Sequence, residues 1–213
     1  MQFKRKIFIL TFFLFPILSR GQVNIGLRAG MNFASIRFQD FSPHKRLLRG
    51  LNAGLTMDIP FDENWSFNTG LNYSGKGVIH GRTFSTGRVD SFTIRLNYIE
   101  VPLTIAYKLS PGNANSLVLS GGPTIGYGFN GRIRIIHSNR DPTIHLHQKE
   151  TDQYKRLEVG INLCVGYEIM NRYGIRFDYS RSLLNIQRVE KEWNSVYGFS
   201  FFWYFRKKIV MKE

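Results

Sequence analysis

From residue 23 onward the chain alternates. In "VNIGLRAGMNF" (23–33), Ile25, Leu27, Ala29, Met31 and Phe33 fall in one phase, and Asn24, Gly26, Arg28, Gly30 and Asn32 in the other. A period of two belongs to a β-strand with two unlike faces. The pattern returns at Leu51, Ala53, Leu55, Met57 and Ile59, and again at Trp65, Phe67, Leu71 and Tyr73. Within "YIEVPLTIAYKL" (98–109), Ile99, Val101, Leu103, Ile105, Tyr107 and Leu109 share a face. Further runs cover 117–129, 157–169 and 173–179, and the last places Tyr197, Phe199, Phe201, Trp203 and Phe205 in one phase. The spacing predicts about eight strands, each of the roughly 9–11 residues that a tilted membrane-crossing strand needs.

The links sort by length. "PFDEN" (60–64), "SPGNANS" (110–116) and "MNR" (170–172) are short and turn-rich, whereas 37–49, 75–95, 130–155 and 181–194 read as long loops. Short turns at one end and long loops at the other predict an up-and-down barrel rather than a Greek-key sandwich.

The chemistry of the two faces decides which of them meets lipid. A water-facing phase would be rich in Lys, Glu and Thr; this polar phase is mostly Gly, Asn and Ser with isolated charges. Small residues suit the interior of a narrow eight-stranded barrel, which side chains just fill. The opposite phase is bulky, apolar and almost free of charge, as a lipid face must be, since a basic residue at the bilayer midplane costs about 2–4 kcal/mol. Trp65, Tyr73, Tyr107, Tyr127, Phe129, Tyr167, Tyr173, Tyr179, Trp203 and Phe205 lie mostly near strand ends, where interfacial girdles form. The expected fold is therefore all-β, an eight-stranded antiparallel up-and-down transmembrane β-barrel. Pro102 and Pro123 interrupt strand patterns, and a closed barrel has no edge for a missing donor, so each is expected at a bulge or a strand end near a rim.

Composition narrows the picture. The 213 residues suggest one domain. A hydrophobic fraction of 43% with a mean hydropathy of −0.21 excludes a polytopic helical membrane protein. One cysteine, Cys164, excludes an internal disulfide framework. Lys4, Arg5 and Lys6 precede the apolar "IFILTFFLFPILS" (7–19), with small Ser19 and Gly21 at positions −3 and −1 of a cleavage site. That run is shorter than the roughly 17–25 residues of a membrane-spanning helix. Residues 1–21 thus read as a cleaved signal peptide and 22–213 as the barrel domain.

Net charge is +14. In an exported chain this favours outer-membrane lipids, and anionic glycolipid above all, over nucleic acid. Arg132, Arg134 and Arg140 in the third long loop are the expected glycolipid-facing basics, against the plainer reading of a solvated basic surface. In the inward phase Arg28, Asp58, Glu100, Lys108, Glu158, Glu168, Arg176 and Asp178 are expected to pair across the lumen and plug it, because unpaired buried charges are too costly. A narrow conductive path and paired carboxylates in acid–base work are the alternatives.

No catalytic residue, metal or cofactor is expected. His44, His80, His137, His145 and His147 all fall in the long loops, without a carboxylate or thiolate cluster beside them. "HSN" (137–139) sets His beside Ser, but adjacency in sequence is not the geometry of a triad.

Several stretches together resemble a known family. "NIGLRAGMNF", "LNYIEVPLTIAYKL", "SGGPTIGYGF" and the aromatic terminal "YGFSFFWYF" resemble the PorT-like outer-membrane β-barrels of Bacteroidetes, over nearly all of the mature chain. The resemblance implies an eight-stranded barrel in the outer membrane. The family's namesake is an accessory of type IX secretion. Gly198 followed by alternating aromatics through Phe205 also resembles a signal for the barrel-assembly machinery, although "RKKIVMKE" follows it. The expected function is that of a structural or interaction protein with a plugged lumen and long basic outward loops. A secretion accessory with a secretion-system partner, or a soluble lipocalin-like ligand carrier, are the alternatives.

Overall fold

The computed structural model describes residues 23–38, 45–83, 89–109, 115–136, 154–187 and 191–205. The proposed signal peptide lies outside these. Among the described residues the strands are β1 (Asn24–Phe38), β2 (Lys45–Pro60), β3 (Trp65–Thr83), β4 (Val89–Pro102), β5 (Thr104–Leu109), β6 (Ser116–Ile136), β7 (Leu157–Ile169), β8 (Tyr173–Ser182) and β9 (Glu192–Tyr204). All pairings between them are antiparallel, and β9 returns to pair with β1 from Gly26↔Tyr204 to Phe38↔Glu192, which closes the ring. A Cβ on Gly30 would run into the Phe199 carbonyl, so at this seam backbone packs on backbone.

β4 and β5 form a single stave, so the ring has eight. Pro102 opposes Thr124 and Ile105 opposes Gly121, while Glu100 opposes Asn72 and Thr104 opposes Asn68. The register therefore runs unbroken through the gap on both sides. Pro102 ends β4, and the Leu103 N–H donates to the Pro123 carbonyl at 2.8 Å. The two prolines thus meet at one interruption inside the stave, not at a rim as their sequence positions suggested.

The faces are inside-out relative to a soluble protein. Leu27, Met31, Leu55, Leu71, Ile125, Leu163, Phe177, Phe199 and Phe201 are exposed on the exterior, while Asn32, Asn52, Asn72, Ser120 and Ser200 are buried within. Aromatics form two rings. Trp65, Tyr107, Tyr167, Tyr173 and Trp203 lie toward the short turns, with Trp65 and Tyr107 4.8 Å apart between ring centroids. Tyr73, Tyr127, Phe129, Tyr179 and Tyr197 lie toward the long links. From Trp65 to Tyr73 is about eight residues, roughly 27 Å along the strand and roughly 21 Å of height at a tilt of about 40°. That is close to the apolar band of about 25 Å typical of such barrels.

Beyond the second ring the strands continue, and their polarity inverts. Ile36, Val78, Ile94 and Leu96 point inward and are buried, whereas Arg37, Arg95, Arg132 and Arg134 point outward and are exposed. Here the solvent is water, so apolar burial turns inward. Residues 75–83, 89–95 and 130–136, expected as loop, are strand for this reason: their alternation persists with its phase reversed. Links 154–156 and 183–187 fold across this mouth. The Lys155 N–H donates to the Ile186 carbonyl, and Tyr154 and Ile186 join Ile36, Val78, Ile94, Leu96 and Tyr98 in one dry cluster.

The lipid-facing assignment predicts the cost of a charge at mid-height. Leu163→Arg, on the exposed face in the middle of β7, should lower unfolding free energy by about 2–4 kcal/mol in vesicles, measured by urea titration of tryptophan fluorescence.

Candidate functional site

The lumen is assembled in layers from inward residues of every stave. Nearest the short turns, Lys108 pairs with Glu168 at 3.5 Å and donates to Asn171 Oδ1 at 2.8 Å. Asn171 is one of two turn residues with positive φ, the other being Met170, and this tight turn folds the Asn171 side chain under the barrel. Asp58 accepts from Asn24 at 3.3 Å. At mid-height Arg28 pairs with Asp178 at 3.1 Å, and Arg176 stands 3.9 Å from the other Asp178 oxygen while its Nε donates to Cys164 Sγ.

Above this lies a ladder of amides. Asn52 donates to Asn32 Oδ1 at 3.0 Å, and Asn32 donates to Ser74 Oγ at 2.9 Å. A chamber of about 40 Å³ opens among Arg28, Asn32, Asn52, Asn72, Glu100 and Asp178. Arg28 Nε, Asn52 Oδ1, Asn72 Oδ1 and Asp178 Oδ1 make no hydrogen bond beside it, and the space is polar and wide enough for a few waters.

The uppermost polar layer centres on Lys76. Its Nζ pairs with Glu158 at 2.7 Å and with Glu100, and it sits over the Tyr98 ring, 4.9 Å from the centroid. Glu158 also accepts from Ser182 at 2.6 Å and from Asn194 at 2.9 Å. Two carboxylates, an ammonium and an aromatic face thus meet across the lumen, and the apolar Ile36–Ile186 cluster lies directly above them.

All eight inward charges named from the sequence face the interior, in three groups: Lys108 with Glu168, Arg28 and Arg176 with Asp178, and Glu100 with Glu158, while Asp58 stands with Asn24. Sequence reasoning missed Lys76, which joins the last group, because 75–95 read as loop. The signal was present, since Ser74, Lys76 and Val78 continue the inward phase of Asn68 and Asn72. Arg132 and Arg134 stand on β6 with exposed side chains rather than in a loop; Arg140 lies outside the described residues. His80 is likewise on β3, buried and inward, not in a loop, and the other histidines lie outside the described residues. Among the described residues no three His, Cys, Asp or Glu side chains are grouped to hold a metal ion.

A closed antiparallel ring with an apolar exterior, two aromatic girdles and a polar, internally paired lumen is a transmembrane β-barrel. Residues 14–188 match the outer membrane protein beta-barrel domain family, and the chain belongs to that family; its place is the outer membrane. No curated protein matches it in sequence. Among solved structures it is similar to Neisserial surface protein A, at 9% identity over 86% of this chain and 99% of that one, with a TM-score of 0.48. It is similar to Ail, the attachment invasion locus protein of Yersinia pestis, at 12% identity, 86% and 99% coverage and a TM-score of 0.42. The outer membrane enzyme PagL is similar at 8% identity, 85% and 98% coverage and a TM-score of 0.39.

The Lys76 hub carries a stability prediction. Lys76→Met leaves buried Glu158 and half-buried Glu100 without their cation and should cost about 3–5 kcal/mol in equilibrium unfolding. Adding Glu100→Gln and Glu158→Gln removes the unpaired charges and should recover most of the loss.

Proposed function

We propose that this outer-membrane barrel is closed to solutes and acts through its surface, as a structural and interaction protein whose basic exterior engages anionic glycolipid. The observation that carries the reading is the double obstruction of the lumen. Lys76, Glu100 and Glu158 bridge three staves, and a dry cluster seals the mouth above them. An ion crossing this path would have to break buried charge pairs and then enter an apolar layer, which is prohibitively costly.

The same geometry favours a non-enzymatic role. Glu100 and Glu158 share one ammonium, so neither is poised as a free acid or base. An apolar ligand carrier would need its apolar phase inside at mid-height; there the interior is amide, hydroxyl and ion pair. The glycolipid reading draws on Arg132 and Arg134, which stand outward just beyond the upper aromatic ring. Export by a signal peptide and insertion by the barrel-assembly machinery complete this reading. The PorT-like resemblance favours one rival, an accessory to type IX-like secretion, which would yield a stable partner complex from gently solubilised membranes.

The purified barrel in planar lipid bilayers should give no current steps above the bare-membrane baseline. Stable, reproducible conductance steps from the native sequence would overturn the closed reading.

A further inference from the structure

The outward face of β4 and β6 carries a charge arrangement that strand pairing alone disfavours. Arg95 stands directly opposite Arg132, and Thr93 opposite Arg134. Like charges opposed on one sheet face destabilise the pair. An irregularity in β6 creates the arrangement. Asn97 opposes Asn130 but Tyr98 opposes Gly128, which leaves Phe129 as an extra residue, a β-bulge. Below the bulge the exposed positions of β6 are Ile125, Tyr127 and Phe129; above it they are Asn130, Arg132 and Arg134. A regular strand would have turned both arginines into the dry cluster. The bulge brings them out beside Arg95.

Nothing in the described surroundings neutralises the pair. On the β3 side the residue opposite Arg95 is Gly77, which has no side chain. On the other side the chain beside Gly128 is Arg156, whose guanidinium donates to the Tyr127 hydroxyl at 3.3 Å. Among the described residues neither Arg95 nor Arg132 has an acidic partner, and both are exposed.

The height of the pair indicates what it meets. Immediately on the membrane side Asn97 accepts from the Tyr73 hydroxyl at 2.8 Å, and the Tyr73 and Phe129 rings lie 6.1 Å apart. Exposed Tyr127 and Ile125 come next. Guanidinium, amide, aromatic and aliphatic layers follow one another as phosphate, interface and acyl chain do in a lipid leaflet.

We infer that Arg95 and Arg132, flanked by Arg134, bind a phosphate group of an outer-leaflet glycolipid whose acyl chains lie along Phe129, Tyr127 and Ile125. Two guanidiniums offer forked donors that match phosphate oxygens, and the anion removes the repulsion between them. A lipid is the source rather than free phosphate because its chains hold the group at this depth, at high effective concentration. This site rests on the glycolipid reading proposed above and gives it an address.

The test is native mass spectrometry of the purified full chain in detergent, mixed with a bis-phosphorylated lipid A or its dephosphorylated counterpart. The native chain should retain the phosphorylated lipid preferentially, and excess inorganic phosphate should not displace it. Arg95→Gln with Arg132→Gln should lower retention about ten-fold or more while preserving the folded mobility on gels; Arg181→Gln, exposed on β8, should leave it unchanged. Equal retention by the double variant and the native chain would overturn this site and leave the glycolipid reading standing. No preference of the native chain for the phosphorylated lipid would overturn both. Displacement by inorganic phosphate would overturn the lipid as source.

Discussion

Hydrocarbon offers a backbone no hydrogen-bond partner, and each unpaired amide or carbonyl left in it costs several kcal/mol. That constraint makes the β1–β9 seam the interaction on which the rest of this structure depends. Thirteen consecutive residue pairs join the two ends of the sheet, from Gly26↔Tyr204 to Phe38↔Glu192. Once the ring is closed with eight staves, its radius is fixed, and so is the little room inside. Gly26 and Gly30 stand at this seam, where a Cβ would run into the Trp203 and Phe199 carbonyls. Small glycine, asparagine and serine dominate the interior and leave room for the paired charges and Tyr98, and most of the bulky apolar residues go outside because lipid receives them there.

Charges admitted to so narrow a space must find each other. Arg28 with Asp178, Lys108 with Glu168, and Lys76 with Glu100 and Glu158 do so from different staves, and Lys76 and Glu158 stand 82 positions apart in sequence. These contacts cross-brace the ring and occupy it. The same rule of solvent matching, applied where the strands leave the membrane, reverses the faces: Ile36, Val78, Ile94 and Leu96 turn in, and arginines turn out. One barrel therefore obeys one principle in two solvents, and the change of solvent falls beside the upper aromatic ring.

The part of the chain that meets lipid was legible in the sequence. Strict alternation there gave strand number, phase, the girdles and the inward charges, because only one arrangement of faces suits an apolar surround. What lay above the membrane was not legible for a definite reason. The inversion of polarity makes Val78, Ile94 and Leu96 look like the wrong phase, so the strands seemed to stop early and Lys76 was lost with them. The bulge at Phe129 adds a second phase slip and hid the alignment of Arg132 with Arg95. Neither feature shows in a search for regular periodicity, since each is a break in it. The shared interruption at Pro102 and Pro123 needed the β4–β6 register, which local spacing does not contain.

This ring closes around a polar, charge-paired interior with its apolar face in lipid. The most direct measurement is the electrophoretic mobility of the protein from carbonate-washed membranes, unboiled against boiled. A closed barrel should remain in the washed pellet and migrate as a compact species until boiling unfolds it. Release by carbonate with identical mobility before and after boiling would contradict the account.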